Sequence, residues 1–314
     1  MIKIFKNELY DEAVIRIESI EKNCWINLIR PTSEEIRYVV DTLQIDEDLI
    51  TKVLDEEELP RIERSDNATL IVVDGPFMDD VRIKGKYTTY PLGIIICNDS
   101  YIVTVSLKDF GIFRDFENGR VKTFYTYKKS RFLIQILLRM ASFYLKALNT
   151  INNDIHKREK SLYYSTSNKQ LVELLDIEKS LVYFITSLKA NDVVLDKLTK
   201  GNVIRLYNED IELLDDTIIE NRQGIEMCTI YKEILSSITD TYATIVSNNL
   251  NVIMKFLAGI TIVLSIPTMI SSFLGMNVPL GVFADNPYAF GMICIVSFLL
   301  AIIVAWMLKK RDML

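Results

Sequence analysis

The spacing of apolar residues changes character twice along this chain. Up to about residue 127 they come in short β-branched runs separated by polar turns. Residues 24–29 (CWINLI), 68–73, 93–97 and 101–106 read as strands, and Asn98-Asp99-Ser100 marks a hairpin between the last two. Pro31-Thr32-Ser33-Glu34-Glu35 opens a helix with hydroxyl caps and acid in its first turn. Residues 46–59 read as a second, acidic helix closed by Pro60. From Ser130 to about Lys255 there is almost no Pro or Gly, and apolar residues such as Phe132, Ile136, Phe143 and Leu148 recur at helical spacing. Three long helices are expected there: 130 to about 160, 168–197, and a third from about Val203. No breaker lies between Ile225 and Phe256, so the third helix runs on without a hinge into the last section. There, residues 256–274 and 288–308 contain no charged side chain. About 19 residues at 1.5 Å each are enough to cross a hydrocarbon core of ~30 Å.

The first apolar span is not uniformly apolar. Stepping from Ser265 by three or four residues reaches Thr268 and Ser272 in one direction, and Thr261, Ala258, Met254 and Asn251 in the other. Residues at these spacings share one helix face, so a stripe of small and polar groups runs past Ile260, Val263, Leu264, Ile266 and Ile270. In lipid such a stripe has two readings. It is a helix–helix contact, where small residues allow close approach, or the wet wall of a pore, where hydroxyls leave room for a hydrated ion. Pro267 forfeits a backbone hydrogen bond that neighbours must replace, and fits either reading. The span closes on Gly275-Met276-Asn277, with Pro279 barring its continuation. Glycine suits the place where the backbone leaves a helix, and Asn277 would offer a neutral carbonyl oxygen at the mouth of the span.

SFLGMN at the outer end of the penultimate apolar helix, followed by a basic tail, resembles the Gly-Met-Asn signature of CorA-type divalent cation transporters. The resemblance is specific over residues 248–277 and covers the chain in architecture. Three departures accompany it: Leu274 stands where the family often has an aromatic, Pro267 lies one position nearer the motif, and the loop VPLGVFADNPYAF lacks the glutamate-containing segment of better-known members. Attraction of cations at the mouth then falls to Asp285.

The expected architecture is an α+β membrane protein with three parts. Residues 1–127 form a cytoplasmic α/β domain, 128–255 a long helical stalk with coiled-coil-like packing, and 256–314 a transmembrane domain. Within the last, the spans are 256–274 and 288–308, the outer loop 275–287 and the cytoplasmic tail 309–314. Lys255 and Lys309-Lys310-Arg311 put the basic residues on one side, so both termini are expected in the cytoplasm of a multi-pass protein of the cell membrane. The N-terminal stretch MIKIFKNELYDEAVIRIE has no apolar core of the kind a cleavable signal needs. A net charge of −6 argues against a nucleic-acid partner. Cys24, Cys97, Cys228 and Cys294 form no CxxC pair and are expected to be reduced, structural thiols. The single histidine, His156, is expected to face solvent. No nucleophile elbow, Walker A loop, HExxH or dinucleotide fingerprint is present, so no enzymatic activity is expected.

Magnesium dehydrates reluctantly, so a selective entrance has reason to hold the hydrated ion through its first-shell waters. A ring of Asn277 amide oxygens would do so without the trap a carboxylate ring makes, and one Asn per chain requires a symmetric oligomer. The resemblance implies a homopentamer in the lipid bilayer with Gly275, Met276 and Asn277 as the selectivity filter. It also implies a path lined by Asn251, Met254, Leu257, Thr261, Ser265, Thr268 and Ser272, with Met254 and Leu257 as a hydrophobic constriction. It further implies regulatory Mg²⁺ between subunits, on Asp216 of the stalk and on Asp79, with Asp80 beside it. Carboxylates crowded at an interface repel until a divalent ion bridges them. Two alternatives remain: a Zn²⁺, Co²⁺ or Ni²⁺ transporter of the same family, and a membrane-anchored sensor that does not conduct.

Overall fold

Alternating β-branched residues and two long hairpin arms build a mixed sheet that organises the first part of the chain. The computed structural model describes residues 1–7, 13–78, 86–97, 100–164, 168–200, 203–276 and 288–311. Its strands are β1 (Ile2–Asn7), β2 (Val14–Ile17), β3 (Trp25–Ile29), β4 (Arg61–Arg64), β5 (Ala68–Phe77), β6 (Thr88–Cys97) and β7 (Tyr101–Ser106). They lie in the order β2-β1-β3-β7-β6-β5-β4. β3 and β7 run parallel, with Trp25 opposite Ile102, and the remaining pairs are antiparallel. The expected hairpin joins β6 to β7, Cys97 pairing with Tyr101.

Side chains on alternate positions of these strands enter two different cores. Ile26, Leu28, Val103 and Val105 meet Ile36, Val39 and Leu43 of α1 (Ser33–Leu43), together with Leu49, Ile50 and Val53. α1 begins where the sequence indicates. The Thr32 hydroxyl accepts from the Glu35 amide and the Glu35 carboxylate from the Thr32 amide, so two otherwise orphaned donors are satisfied. On the opposite side of β3, Trp25 stacks on Phe5 (4.9 Å) and meets Phe132 edge-on (5.2 Å). Its indole N–H donates to Thr104 Oγ1 (2.9 Å), whose hydroxyl donates to Asn27 Oδ1 (3.0 Å), so this aromatic core contains no stranded indole donor.

The acidic helix expected over 46–59 is much shorter. α2 covers Asp48–Thr51, a single 3₁₀ turn follows over Lys52–Leu54, and Asp55 is extended. The reason lies in residues 55–58, Asp-Glu-Glu-Glu. They offer no apolar side chain to the core and would stack like charges one turn apart. The Asp55 carboxylate instead accepts from the Glu57 amide (3.0 Å), a local turn that competes with the helix.

α3 (Phe113–Glu117) leads to three long helices, α4 (Lys129–Tyr164), α5 (Asn168–Thr199) and α6 (Asn208–Leu274), and α7 (Ala289–Lys309) follows. The chain divides into two compact units, Met1–Ser237 and Ile238–Leu314. A division near residue 127 is absent, because α4 and α5 lie on β5 and β6 and share the core with the sheet. α4 is as long and apolar as a membrane span, yet 61% of its most apolar stretch is buried inside this unit, against 6% for α6 and α7. It is a core helix. The thiols of Cys97 and Cys228 are buried, which pushes both pKa values up to about 12. His156 lies on the surface of α4, with Nδ1 3.6 Å from Glu159.

β5 and β6 continue through Asp74-Gly75-Pro76 and Pro91, residues whose type argues against strand. Gly75 is required by packing: a Cβ there would sit 2.6 Å from Met140 Sδ and from a Phe110 ring carbon. β4 stops opposite Val72, leaving the outer edge of β5 open at Asp74. Asn191 of α5 fills that edge, accepting from the Asp74 amide (2.9 Å) and donating to its carbonyl (2.9 Å). The Tyr144 hydroxyl donates to the same carbonyl (3.2 Å), and Ser187 Oγ donates to Asp74 Oδ2 (2.7 Å). Burial raises the pKa of the Asp74 carboxyl, the Ser187 hydrogen bond opposing it only in part. A carboxyl with a raised folded-state pKa gives its stability below the unfolded value of about 4 and loses it as pH rises toward the folded value. Asp74→Asn keeps an acceptor for Ser187 and removes the titration. Its melting temperature is expected to fall less than that of the native chain between acid and neutral pH. Parallel curves in calorimetry would refute this.

Candidate functional site

The second unit contains the end of α6 and α7, and burial divides α6 there into two faces. Gly259 is buried and Val263, Ile266, Ile270 and Leu274 are partly covered. α7 has the matching pattern, with Ala289, Ser297 and Ala301 buried and Ile293 and Ala305 partly covered. Small residues every fourth position make such a seam for a neighbouring helix. The sequence reading missed it, although Ala289, Ser297, Ala301 and Ala305 display it at regular spacing.

Thr261, Ser265, Thr268 and Ser272 are all exposed. At about 100° per residue they cluster roughly 180° from the covered face of α6. Met254 and Leu257 continue the same face inward, 62% and 60% exposed, with Asn251 beyond them. The small-residue stripe therefore lies on the exposed side of α6, opposite the side that holds Gly259.

The hydroxyls of the stripe are oriented by their own helix. Thr261 Oγ1 donates to the Leu257 carbonyl (2.8 Å), Ser265 Oγ to Ile262 (2.8 Å) and Thr268 Oγ1 to Leu264 (3.1 Å). Each hydroxyl proton is thus committed to the backbone, and oxygen lone pairs face outward. A surface of acceptors suits the hydrogens of water bound to a cation. Ser271 Oγ makes the same bond to the carbonyl of Pro267 (2.8 Å), at the turn where the proline supplies no amide.

At the end of the span the Gly275 amide still bonds the Ser271 carbonyl (3.0 Å) and the Met276 amide reaches Phe273 (3.4 Å). Gly275 does not adopt the left-handed backbone expected of a glycine ending a helix, and a Cβ would meet only the Ser271 and Ser272 carbonyls at 3.4 and 3.6 Å. Among the described residues nothing demands glycine there. Asn277 and Asp285 lie outside the described residues, as do Asp79 and Asp80. Asp216 is on the exposed face of α6 in the first unit, beside Asp215. Its carboxylate has the oxygen chemistry Mg²⁺ takes, but among the described residues no three His, Cys, Asp or Glu side chains converge on one point. At the other end of α7, Lys310 Nζ lies 5.8 Å from the Trp306 ring, an arrangement typical of a membrane interface.

A model of the CorA-like Mg²⁺ transporter protein family matches residues 21–310. The cobalt/magnesium transport protein CorA of Methanocaldococcus jannaschii is 27% identical over 295 residues, 91% of this chain and 90% of that protein. The complete structure of the CorA magnesium transporter from the same organism superposes with a TM-score of 0.86 at 24% identity, covering 98% of this chain and 96% of that one. Full-length CmaX gives 0.72 at 14% identity, covering 99% and 96%. The cytoplasmic domain of ZntB from Vibrio parahaemolyticus gives 0.60 at 11%, covering 78% and 98%. At these identities the superpositions establish the fold: an N-terminal α/β domain, a long helix and a C-terminal helix.

Proposed function

Because the chain belongs to the CorA-like Mg²⁺ transporter family, we propose that it takes up Mg²⁺ as a homopentamer, through an axial pore lined by the polar face of α6. The observation that carries this reading is the orientation of that face. It points away from the covered side of α6 and presents backbone-anchored hydroxyl oxygens. Surrounded by lipid, those oxygens would have no partner beyond their own helix; around a shared axis they also accept from water and a hydrated ion's shell.

In this reading Gly275, Met276 and Asn277 form the outer filter, and Met254 and Leu257 close the pore by dewetting at its inner end. Both termini are cytoplasmic, and the ion's own gradient and the membrane potential drive transport. Mg²⁺ held by Asp216 with Asp79 or Asp80 of a neighbouring copy keeps the closed arrangement, and its loss lets the acidic faces repel. Co²⁺ is the second candidate cargo, because the M. jannaschii relative is named for cobalt as well as magnesium.

The test is influx into proteoliposomes loaded with a Mg²⁺ indicator, with Co²⁺ and Zn²⁺ as competitors. Mg²⁺-dependent influx above that of empty vesicles is expected; no influx of any divalent ion would leave the anchored-sensor reading in its place. In the same assay Asp216→Lys is expected to raise about tenfold the cytoplasmic-side Mg²⁺ needed for half inhibition, the equivalent of ~1.4 kcal/mol of lost binding. Inhibition at the native concentration would discard Asp216 as a regulatory ligand.

A further inference from the structure

The last strand of the sheet and the end of α5 enclose a groove that the transport reading does not use. α5 packs against β4, and the groove, about 440 Å³ and open to solvent, is lined by Ile62, Arg64, Lys197, Lys200 and Val203. Ile62 and Val203 are half-buried and make an apolar floor, while Arg64, Lys197 and Lys200 are exposed around it. The lysine stems add apolar wall below their ammonium groups.

The acids close to these cations in sequence are engaged elsewhere. Glu63 holds Lys52 (3.1 Å) and Arg61 (2.9 Å), and Asp192 and Asp196 both hold Arg222 (3.2 and 3.0 Å). Among the described residues no carboxylate pairs with Arg64, Lys197 or Lys200. Solvated lysines at the end of a helix need no ligand, because they offset the carbonyl end of its dipole. That accounts for Lys197 and Lys200. It does not account for Arg64 on another element, nor for the apolar floor between them.

The backbone adds donors to the same groove. The Ser65 amide bonds the Ala68 carbonyl (2.8 Å), and β4 pairs Glu63 with Leu70 and Arg61 with Val72. In an antiparallel ladder, residues bonded to the partner strand alternate with residues whose amides face the other way. The amides of Ile62 and Arg64 therefore face the open side of β4, the terminal strand of the sheet. A sheet edge can receive an anion in this way. It suits an added peptide strand less well, since β4 has four residues and carries Glu63 among them.

We propose that this groove binds a nucleoside polyphosphate, with its phosphates on Arg64, Lys197 and Lys200 and its base over Ile62 and Val203. Guanidinium and ammonium groups match phosphate oxygens, and small-ligand sites usually span roughly 300–1,000 Å³. Mg²⁺ on the phosphates cancels part of their charge and occupies their oxygens, so the metal-free form binds more tightly than its Mg²⁺ complex. The inference goes beyond the proposed transport and is read by binding alone, so either can fail without the other.

The test is calorimetry on the full-length chain in detergent, with ATP and tripolyphosphate, each in EDTA and in excess Mg²⁺ at matched ionic strength. ATP in EDTA is expected to bind more tightly than tripolyphosphate, which has no base to cover the apolar floor. Arg64→Gln with Lys200→Gln is expected to weaken ATP about tenfold or more, through the loss of charge-assisted hydrogen bonds. Lys189→Gln with Lys232→Gln removes as much charge from exposed positions outside the groove, and is expected to leave ATP binding unchanged. Ile62→Ser is expected to weaken ATP and spare tripolyphosphate. Excess Mg²⁺ is expected to weaken ATP about tenfold, by the same factor in the Asp216→Lys chain, because the ion acts on the nucleotide. No binding of ATP in EDTA, an equal loss in both pairs of glutamine variants, or binding that requires Mg²⁺ would overturn the proposal. A polyglutamate peptide that binds more tightly than ATP, and is lost in Arg64→Gln with Lys200→Gln, would overturn it in favour of an acidic protein partner.

Discussion

Proteoliposomes carrying Asn277→Ala are expected to take up Mg²⁺ at roughly a hundredth of the native rate or less. The hydrated ion's first-shell waters are strongly polarised donors, and in the proposed pore an amide oxygen at the mouth would accept from them while leaving the ion's own shell intact. A hydrogen bond to a charged group contributes about 1.5–3 kcal/mol. Losing the equivalent of two at the entrance therefore removes a factor of ~100 or more, at 1.4 kcal/mol per tenfold. Asn277→Asp separates attraction from passage: a ring of carboxylates should bind Mg²⁺ more tightly and release it more slowly, so that influx saturates at lower concentration and lower rate. Influx through Asn277→Ala equal to the native rate would remove Asn277 from the filter.

The second large effect is expected from Thr261→Val combined with Thr268→Val. Valine is close to threonine in shape, and the hydroxyls bond only to Leu257 and Leu264 carbonyls of their own helix, bonds the helix does not need for its ladder. The assembly should keep its mass in light scattering. The change falls on the face opposite the covered side of α6, where in the proposed pore two rings of outward acceptors would become apolar. Each hydroxyl–water bond is worth about 0.5–1.5 kcal/mol, and the loss repeats around the axis, so a fall in influx of tenfold or more is expected. A native rate with an intact ring would mean that this face is not wetted.

Much of this architecture was legible in the sequence because its signals were strong and local. Helices α4 to α7 appear as long runs with few breakers and with periodic or continuous apolar residues, and α1 announces itself through its capping box. The strands showed less well. β1, β2 and β4 were not foreseen: they are short, and β4 (Arg-Ile-Glu-Arg) carries charge at three of its four positions. β5 and β6 run through Asp74, Gly75, Pro76 and Pro91, which read as turn residues. They hold strand geometry through their pairing with each other, with Asn191, Ser187 and Tyr144, distant in sequence, bonding to Asp74. The polar stripe on α6 was legible as a stripe, but its direction was not. That depended on which side of α6 is covered, and the alternation of small and apolar residues along α6 does not specify it.

The side-chain amide at the open margin of β5 has a consequence for the cell in which the protein is made. A strand edge with free amides and carbonyls is a template for any extended segment, including the same segment of a sister chain emerging from the ribosome. Beyond Val72 this edge is stoppered by Asn191 at Asp74, while the outermost strand is guarded by Arg61, Glu63 and Arg64. Folded chains therefore offer no free amide or carbonyl of Asp74 for such stacking. Substituting Asn191 would show first as lost soluble yield, before any change in the activity of the molecules that fold.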